Sequence, residues 1–182
     1  MKDTIERFCT DLEHPNHDNT IAIIRALNRH KCWPAGIREF VERPGERSKK
    51  AHALLSFWFT YGLHSIPRSL KKDLYIFTDA FKSLFPPYLG GTLVLFRGEL
   101  ASRHRRGVYG ISWTPNFEKA KNFADRRSLI EGAGIVVRVE ATPAMIVTAV
   151  RDHSNHTLVL GEDEYLVDPR TLKGKVTAIV HQ

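Results

Sequence analysis

Three short groups of residues in the second half of the chain could carry chemistry together. Arg97 ends an apolar run and precedes Gly98, so its guanidinium could hold phosphate oxygens while the glycine lets a ligand approach the backbone. Ser112 and Thr114 flank Trp113, and on a strand both hydroxyls would share one face while the indole packs in the core on the other. A polar face beside such an arginine would suit a phosphate-rich sugar donor.

The third group is the acidic pair Glu162 and Glu164, which precedes an apolar, β-prone run. Alternation on a strand places both carboxylates on one face, with Asp163 on the opposite face. Glu164 could accept a hydrogen bond from a sugar hydroxyl and stabilise an oxocarbenium-like transition state. Glu162 could orient or deprotonate an incoming nucleophile. Each group also has an ordinary structural interpretation: a strand-end arginine, a strand followed by a helix cap, and an acidic turn.

In order and residue type, the three groups resemble the motif regions of ADP-ribosyltransferases of the Arg-Ser-Glu class, whose last motif is Glu-x-Glu. The resemblance covers roughly residues 91–181, about half of the chain. It implies NAD+ as co-substrate and no metal. Two features depart from the common pattern. The middle motif reads Ser-Trp-Thr, a form carried by bacterial and phage relatives, and the loop between the first two motifs is short and basic.

The resemblance also implies a role for each residue of the NAD+ site. Glu164 would be the catalytic glutamate that binds the 2′-hydroxyl of the nicotinamide ribose, and Ser112 would orient it. Arg97 would contact the phosphates or the adjacent ribose, and the backbone of Gly98 would hold the carboxamide. The remaining expected NAD+ contacts are Thr114 and Phe123. Phe123 would stack near the nicotinamide, although it fits a position in the helix core better.

Acceptor recognition is expected from Glu162 and from the segment 151–161, which corresponds in this class to the acceptor loop and includes His153 and Asn155. A glutamate at position 162 favours a protein arginine, because a carboxylate can hold and activate a guanidinium. Basic residues around the expected cleft favour RNA or DNA instead: Arg103, Arg105, Arg106, Arg126 and Arg127. Protein arginine is slightly favoured, and hydrolysis of NAD+ by water is a further open outcome.

Composition limits the classes of protein to which the chain could belong. Its 182 residues suffice for one domain with a helical extension, and a net charge of +7 favours polyanionic or acidic partners. Two cysteines and a charged N-terminus favour a reducing, cytoplasmic location. The apolar stretch 51–67 is too short for a membrane span and predicts a core helix. Together with the resemblance, these features suggest an intracellular toxin or phage-conflict effector, with an antitoxin as the partner that such a role would involve.

The elements that must position these residues fall into two regions. In 1–88, apolar spacing predicts helices over 3–12, 17–28, 37–41, 48–61 and 68–85, with a break at Pro34-Ala35-Gly36 and a stop at Pro86-Pro87. In 89–182, β-branched runs predict strands over 92–97, 134–141, 145–149, 157–160, 164–168 and 176–181. Thr114 and Pro115 would start an intervening helix, 116–124.

The predicted fold is therefore α+β. A helical N-terminal region, 1–88, would pack in one compact unit on a C-terminal, mostly antiparallel β-sandwich of the ADP-ribosyltransferase type, 89–182. The function that the resemblance implies is NAD-dependent mono-ADP-ribosyl transfer with release of nicotinamide.

A nucleic-acid-binding module without catalysis is the alternative from another class. Its contact surface would be the basic helical half, and Glu164 would be dispensable. Paired carboxylates in a basic cleft would weaken the binding of a polyanion, which counts against this alternative.

Overall fold

The computed structural model describes residues 1–62, 71–150 and 163–179. The chain divides into two compact units, Met1–Pro86 and Pro87–Gln182. Helices make up the described part of the first unit, and two small antiparallel sheets with further helices make up that of the second. The α+β class predicted from the sequence is confirmed.

The N-terminal unit is built around buried aromatic side chains. Phe8, Trp33, Phe57 and Phe77 come from four different helices and are each at most 5% exposed. The ring centroids of Phe8 and Trp33 lie 5.7 Å apart in an edge-to-face contact. The helices are α1 Lys2–Glu13, α2 His17–His30, α3 Trp33–Glu42, α4 Arg47–Phe57 and α5 Lys71–Leu84, with a π-helical turn at Trp58–Gly62 after α4. None of the helices described in the chain is both long and apolar enough to cross a membrane.

The junction between α2 and α3 differs from the prediction. The segment Pro34-Ala35-Gly36 does not break a helix but lies in the first turns of α3, whereas α2 ends at His30 and Lys31 adopts a left-handed conformation with φ 50°. A proline is compatible with this position because the first N–H groups of a helix have no partner within it. The prediction was therefore wrong about the place of the break and right that two helices meet here.

The described residues of the C-terminal unit form two three-stranded antiparallel sheets, with strand orders β1-β3-β6 and β2-β5-β4. The strands are β1 Leu93–Leu100, β2 Ser112–Trp113, β3 Gly134–Ala141, β4 Ile146–Ala149, β5 Tyr165–Val167 and β6 Thr177–Ile179. The α-helices described between these strands are α6 Ala101–Arg105 and α7 Phe117–Glu131. The predicted strand 157–160 lies outside the described residues.

The cap of α7 is Asn116 and not Thr114. The Asn116 side chain accepts a hydrogen bond from the backbone N–H of Lys119 at 3.0 Å, which satisfies one of the first amides of the helix. The hydroxyl oxygen of Thr114 instead accepts from the N–H of Asn116 at 3.1 Å. The helix therefore begins one residue after the predicted start and continues past Ala124 to Glu131.

The two faces of β1 serve different parts of the C-terminal unit. Leu95 contributes to a buried cluster that also contains Trp113 and Tyr165 from the second sheet. Alternation along the strand places Arg97 and Glu99 on this same face. The opposite face carries Gly98, against which the backbone of α7 packs. The position of Arg97 is thus fixed by a strand that is covered on both sides.

Gly98 allows the close approach of α7 to β1. A Cβ at this position would overlap the backbone oxygen of Ala120 and the backbone nitrogen of Ala124, neither of which can move without the helix. We therefore expect Gly98→Ala to lower the free energy of unfolding by about 1–3 kcal/mol, as overpacking does. Gly91→Ala is the matched control, because a Cβ at Gly91 meets nothing within 4 Å. Equal stability of both variants, measured by urea unfolding, would contradict the packing role.

Candidate active site

Arg97 is held in one orientation by two acceptors. Its Nε donates to Oε2 of Glu99 at 3.1 Å, and its Nη1 donates to the carbonyl oxygen of Ser112 at 2.6 Å. The guanidinium lies against Gly110, where a Cβ would collide with Nη2. Arg97 is only 8% exposed and is not the solvated strand-end arginine of the ordinary interpretation. Its guanidinium connects β1 to β2 through these hydrogen bonds.

Glu99 is a residue that the sequence analysis did not single out. Its side chain is 0% exposed, and Oε1 accepts from the N–H of Leu100 at 3.0 Å and from Nη1 of Arg127 at 3.2 Å. The Nε of Arg103 lies 3.5 Å from the same oxygen. We call Glu99 with Arg97, Arg103 and Arg127 the Glu99 cluster. It joins β1, α6 and α7 through one carboxylate.

The ionisation of Glu99 follows from these contacts. Burial disfavours a charged carboxylate, but the positive charges of Arg97, Arg103 and Arg127 and the N–H of Leu100 outweigh that effect. The pKa of Glu99 is therefore lower than the ordinary value for glutamate. Glu99 lies two residues after Arg97, and residues two apart on a strand share a face. The sequence therefore indicated that these two side chains could pair.

Trp113 is buried in the core, as predicted, and is 1% exposed. Its indole Nε1 donates to the carbonyl oxygen of Gly110 at 3.1 Å, and its ring lies near that of Tyr109, with centroids 6.2 Å apart. Because side chains alternate along a strand, Ser112 and Thr114 belong to the other face. The prediction that the indole packs in the core is confirmed by the burial of Trp113.

Glu164 immediately precedes β5, which pairs with β2. In this antiparallel pair Ser112 lies opposite Leu166 and Trp113 opposite Tyr165. Continued by one residue, this register places Thr114 opposite Glu164, and directly opposed residues point to the same face of a sheet. Glu164 is half-buried, and its carbonyl oxygen accepts from the N–H of Val150 at 2.9 Å.

The two sheets contact each other at Phe96 of β1 and Thr114, the residue after β2. The N–H of Phe96 donates to the carbonyl oxygen of Thr114 at 2.7 Å, and the N–H of Thr114 donates to that of Phe96 at 2.9 Å. Arg97 is the next residue of β1 and contacts Ser112. The backbone therefore brings four positions close together: Arg97 on β1, Ser112 on β2, Thr114 directly after β2 and Glu164 directly before β5.

Other predicted site residues are placed differently or lie outside the described part of the chain. Phe123 is 40% exposed on α7, so the alternative that it packs in the helix core is wrong. The backbone of α7 occupies the space that a side chain at position 98 would need. This packing explains the glycine without invoking a ligand. The predicted acceptor residues Glu162, His153 and Asn155 are outside the described residues.

The predicted basic residues fall into two groups. Arg103 and Arg127 contact Glu99, and their side chains are 14% and 22% exposed. Arg105, Arg106 and Arg126 are exposed. The arginines are thus partly a structural support of the site and partly a charged surface beside it.

Among the residues that the structure describes, no three His, Cys, Asp or Glu side chains are grouped so as to hold a metal ion. In comparisons with models of protein families, with curated proteins and with solved structures, this chain matches none.

Proposed function

We propose that this protein is a NAD+-dependent mono-ADP-ribosyltransferase with the β-sandwich fold of the Arg-Ser-Glu class in its C-terminal unit. It would transfer ADP-ribose to a macromolecular acceptor and release nicotinamide. The observation that carries the proposal is the proximity of Arg97 on β1, Ser112 on β2 and Glu164 directly before β5. They are linked by the hydrogen bond from Arg97 to the carbonyl oxygen of Ser112 and by the β2–β5 register. The two antiparallel sheets are compatible with the proposed sandwich.

In the proposed reaction, the bond between C1′ of the ribose and the nicotinamide nitrogen breaks. Its electron pair leaves with the nicotinamide, and positive charge develops on the ribose. Glu164 would accept a hydrogen bond from the 2′-hydroxyl, and its negative charge would stabilise the oxocarbenium-like transition state. The acceptor then forms a bond to C1′ and loses a proton. Half-burial of Glu164 supports this role, because charges interact more strongly where water is partly excluded.

Arg97 would provide a fixed positive charge for the phosphates of NAD+. An electrostatic group that is already oriented does not have to reorganise when the ligand arrives. Glu99 and the carbonyl of Ser112 supply that orientation here. The hydroxyls of Ser112 and Thr114 would contact the substrate or orient Glu164, in keeping with their shared face.

The acceptor in this proposal is a protein arginine or a nucleic acid, and water as acceptor would make the protein a NAD glycohydrolase. Glu162 is the basis for a protein arginine, and the exposed arginines are the basis for RNA or DNA. A role as an intracellular toxin or phage-conflict effector, with an antitoxin as partner, is part of the proposal through the family resemblance alone.

A labelling experiment tests the function. The purified protein is incubated with NAD+ labelled in its adenylate part and with a cell lysate, and the products are then treated with protease, RNase or DNase. We expect macromolecular label together with release of nicotinamide. Loss of label with protease identifies a protein acceptor, and loss with a nuclease identifies a nucleic acid. Release of nicotinamide without macromolecular label would indicate a glycohydrolase, and no turnover of NAD+ would leave the binding module as the better interpretation.

Glu162→Gln separates the two parts of the proposed reaction. If Glu162 activates an arginine acceptor, the variant should keep NAD+ hydrolysis near the wild-type rate and lose most of the transfer, by roughly the 10²–10⁴-fold typical of a general base. The two rates are measured in parallel, as nicotinamide released and as label incorporated. An equal decrease of both rates would contradict this division of roles.

A further inference from the structure

We infer that the arginines of α6, of its C-terminal end and of α7 form one binding surface for single-stranded nucleic acid. We call this the arginine surface; its members are Arg103, Arg105, Arg106, Arg126 and Arg127. The two runs are far apart in sequence, but Nε of Arg103 and Nη1 of Arg127 lie 3.5 Å and 3.2 Å from the same oxygen of Glu99. The fold therefore brings one arginine of each run, Arg103 and Arg127, to the same carboxylate.

The charge of this surface exceeds what the buried carboxylate requires. Arg103 and Arg127 contact Glu99, whereas Arg105, Arg106 and Arg126 are exposed to solvent. Five arginines against one glutamate leave four positive charges in excess. The neighbouring acid Asp125 lies 3.7 Å from the ammonium of Lys121 and is thus already matched by a cation. A surface with this excess attracts polyanions.

Two features favour a nucleic acid over an acidic protein. All members of the surface are arginines, whose planar guanidinium binds phosphate through two N–H groups and also stacks on bases. The ring of Phe123 is 40% exposed on α7, three and four residues before Arg126 and Arg127, so the three side chains lie along adjoining parts of one helix face. Basic groups beside an exposed aromatic ring are the pattern by which proteins bind single strands.

This inference rests on the proposed function in one respect only. If the protein transfers ADP-ribose, the strand bound by the arginine surface is the acceptor. Binding of the strand itself requires no NAD+ and can be measured without any turnover.

The test is the binding of fluorescent oligonucleotides of about 12 nucleotides, one of RNA and one of DNA, to the full chain, followed by anisotropy between roughly 50 and 200 mM salt. The surface variant is Arg105→Gln/Arg106→Gln/Arg126→Gln. Arg25→Gln/Arg29→Gln/Lys49→Gln, at exposed positions of the N-terminal unit, removes the same charge and is the matched control.

We expect the surface variant to bind at least tenfold more weakly than the control variant. The dependence of log affinity on log salt concentration should become shallower by about 2, since each phosphate contact to a single strand contributes about 0.7. Phe123→Ala should weaken binding by roughly tenfold with little change in that slope, because stacking is not ionic. A preference between the RNA and the DNA strand identifies the natural ligand.

Several outcomes would overturn the inference. Equal losses of affinity in the surface and control variants would mean that binding depends on net charge and not on the arginine surface. If the wild type binds neither strand, the arginine surface is not a nucleic-acid-binding site. Poly-glutamate that binds as tightly as RNA, with the same sensitivity to the surface variant, would indicate an acidic protein partner instead. NAD+ turnover tests the proposed function separately. Binding of a strand without NAD+ turnover would contradict the proposed function, and NAD+ turnover without binding of a strand would contradict the present inference.

Discussion

Glu164→Gln is expected to reduce the rate of nicotinamide release by about 10²–10³-fold, which is the loss seen when one electrostatic stabiliser of a transition state is removed. Glutamine preserves the size of the side chain and one acceptor oxygen, so the substrate can still bind. It lacks the negative charge that would stabilise the developing oxocarbenium ion. Because Glu164 is half-buried, solvent cannot replace that charge completely.

Asp163→Asn provides the matched control for this variant. It removes the same charge from the preceding residue, which is exposed and which strand alternation turns to the other face. We expect the control to release nicotinamide at close to the wild-type rate. Both variants should also unfold at the wild-type urea concentration. Near-normal turnover of NAD+ by Glu164→Gln would show that Glu164 is not the catalytic glutamate. An equal decrease of the rate in Asp163→Asn would mean that the effect comes from local negative charge and not from Glu164 itself.

Elements with regular side-chain periodicity were predictable from the sequence. The bounds of β3 were predicted to the residue, and α5 ends next to the expected stop at Pro86-Pro87. Two helix starts were wrong. Pro34 was interpreted as a helix break, although a proline is compatible with the first turn of a helix, where it lies in α3. Thr114 was interpreted as the cap of α7, whereas the side chain that reaches the free amides is that of Asn116.

The candidate site was predictable only where local alternation determines it. Trp113 is buried as expected, since residues next to one another on a strand point in opposite directions. Glu99 was missed although Arg97 and Arg103 lie only two and four residues from it, because Arg103 and Arg127 looked like surface charge in the sequence. The packing of α6 and α7 on β1 turns both arginines towards one carboxylate. The pair with Arg127 spans 28 residues and has no periodicity by which a sequence reveals it.

Glu99→Gln is expected to lower the free energy of unfolding of the C-terminal unit by about 3–5 kcal/mol, as the loss of one partner from a buried ion pair does. The carboxylate is 0% exposed and interacts with three guanidinium groups, of which that of Arg97 is itself buried. A neutral amide leaves these cations close together without a counter-charge. Arg103 and Arg127 can turn partly to solvent, but Arg97 cannot do so without leaving Ser112.

The stability difference between wild type and Glu99→Gln should depend on pH in a defined direction. The pKa of Glu99 is lowered in the folded protein, so its ionisation stabilises the fold fully above the ordinary glutamate value of about 4.5. That contribution is lost as the pH falls through the lowered pKa of the folded state. The difference between the two proteins should therefore be largest near neutral pH and should shrink below about pH 4.5.

Hydrogen exchange of the β1 and β3 amides under urea measures this free energy in the C-terminal unit alone. Asp125→Asn is the matched control, since it removes one acidic charge from an exposed pair with Lys121 on α7. Exposed pairs contribute less than about 1 kcal/mol, so the control should stay near wild type. A loss in Glu99→Gln no larger than in Asp125→Asn would contradict the structural role of the Glu99 cluster.

The pairing of Glu99 with Arg97 can be separated from its pairing with the other two arginines by a double-variant cycle. Arg97→Met alone removes the most buried cation, and Glu99→Gln alone leaves that cation without its counter-charge. If the Arg97–Glu99 contact dominates, the double variant should lose less stability than the two single losses combined, by up to about 3 kcal/mol. Additive losses would mean that Glu99 mainly holds α6 and α7 to the sheet. In that case Arg97 would be oriented by Ser112, and its position in the site would not depend on Glu99.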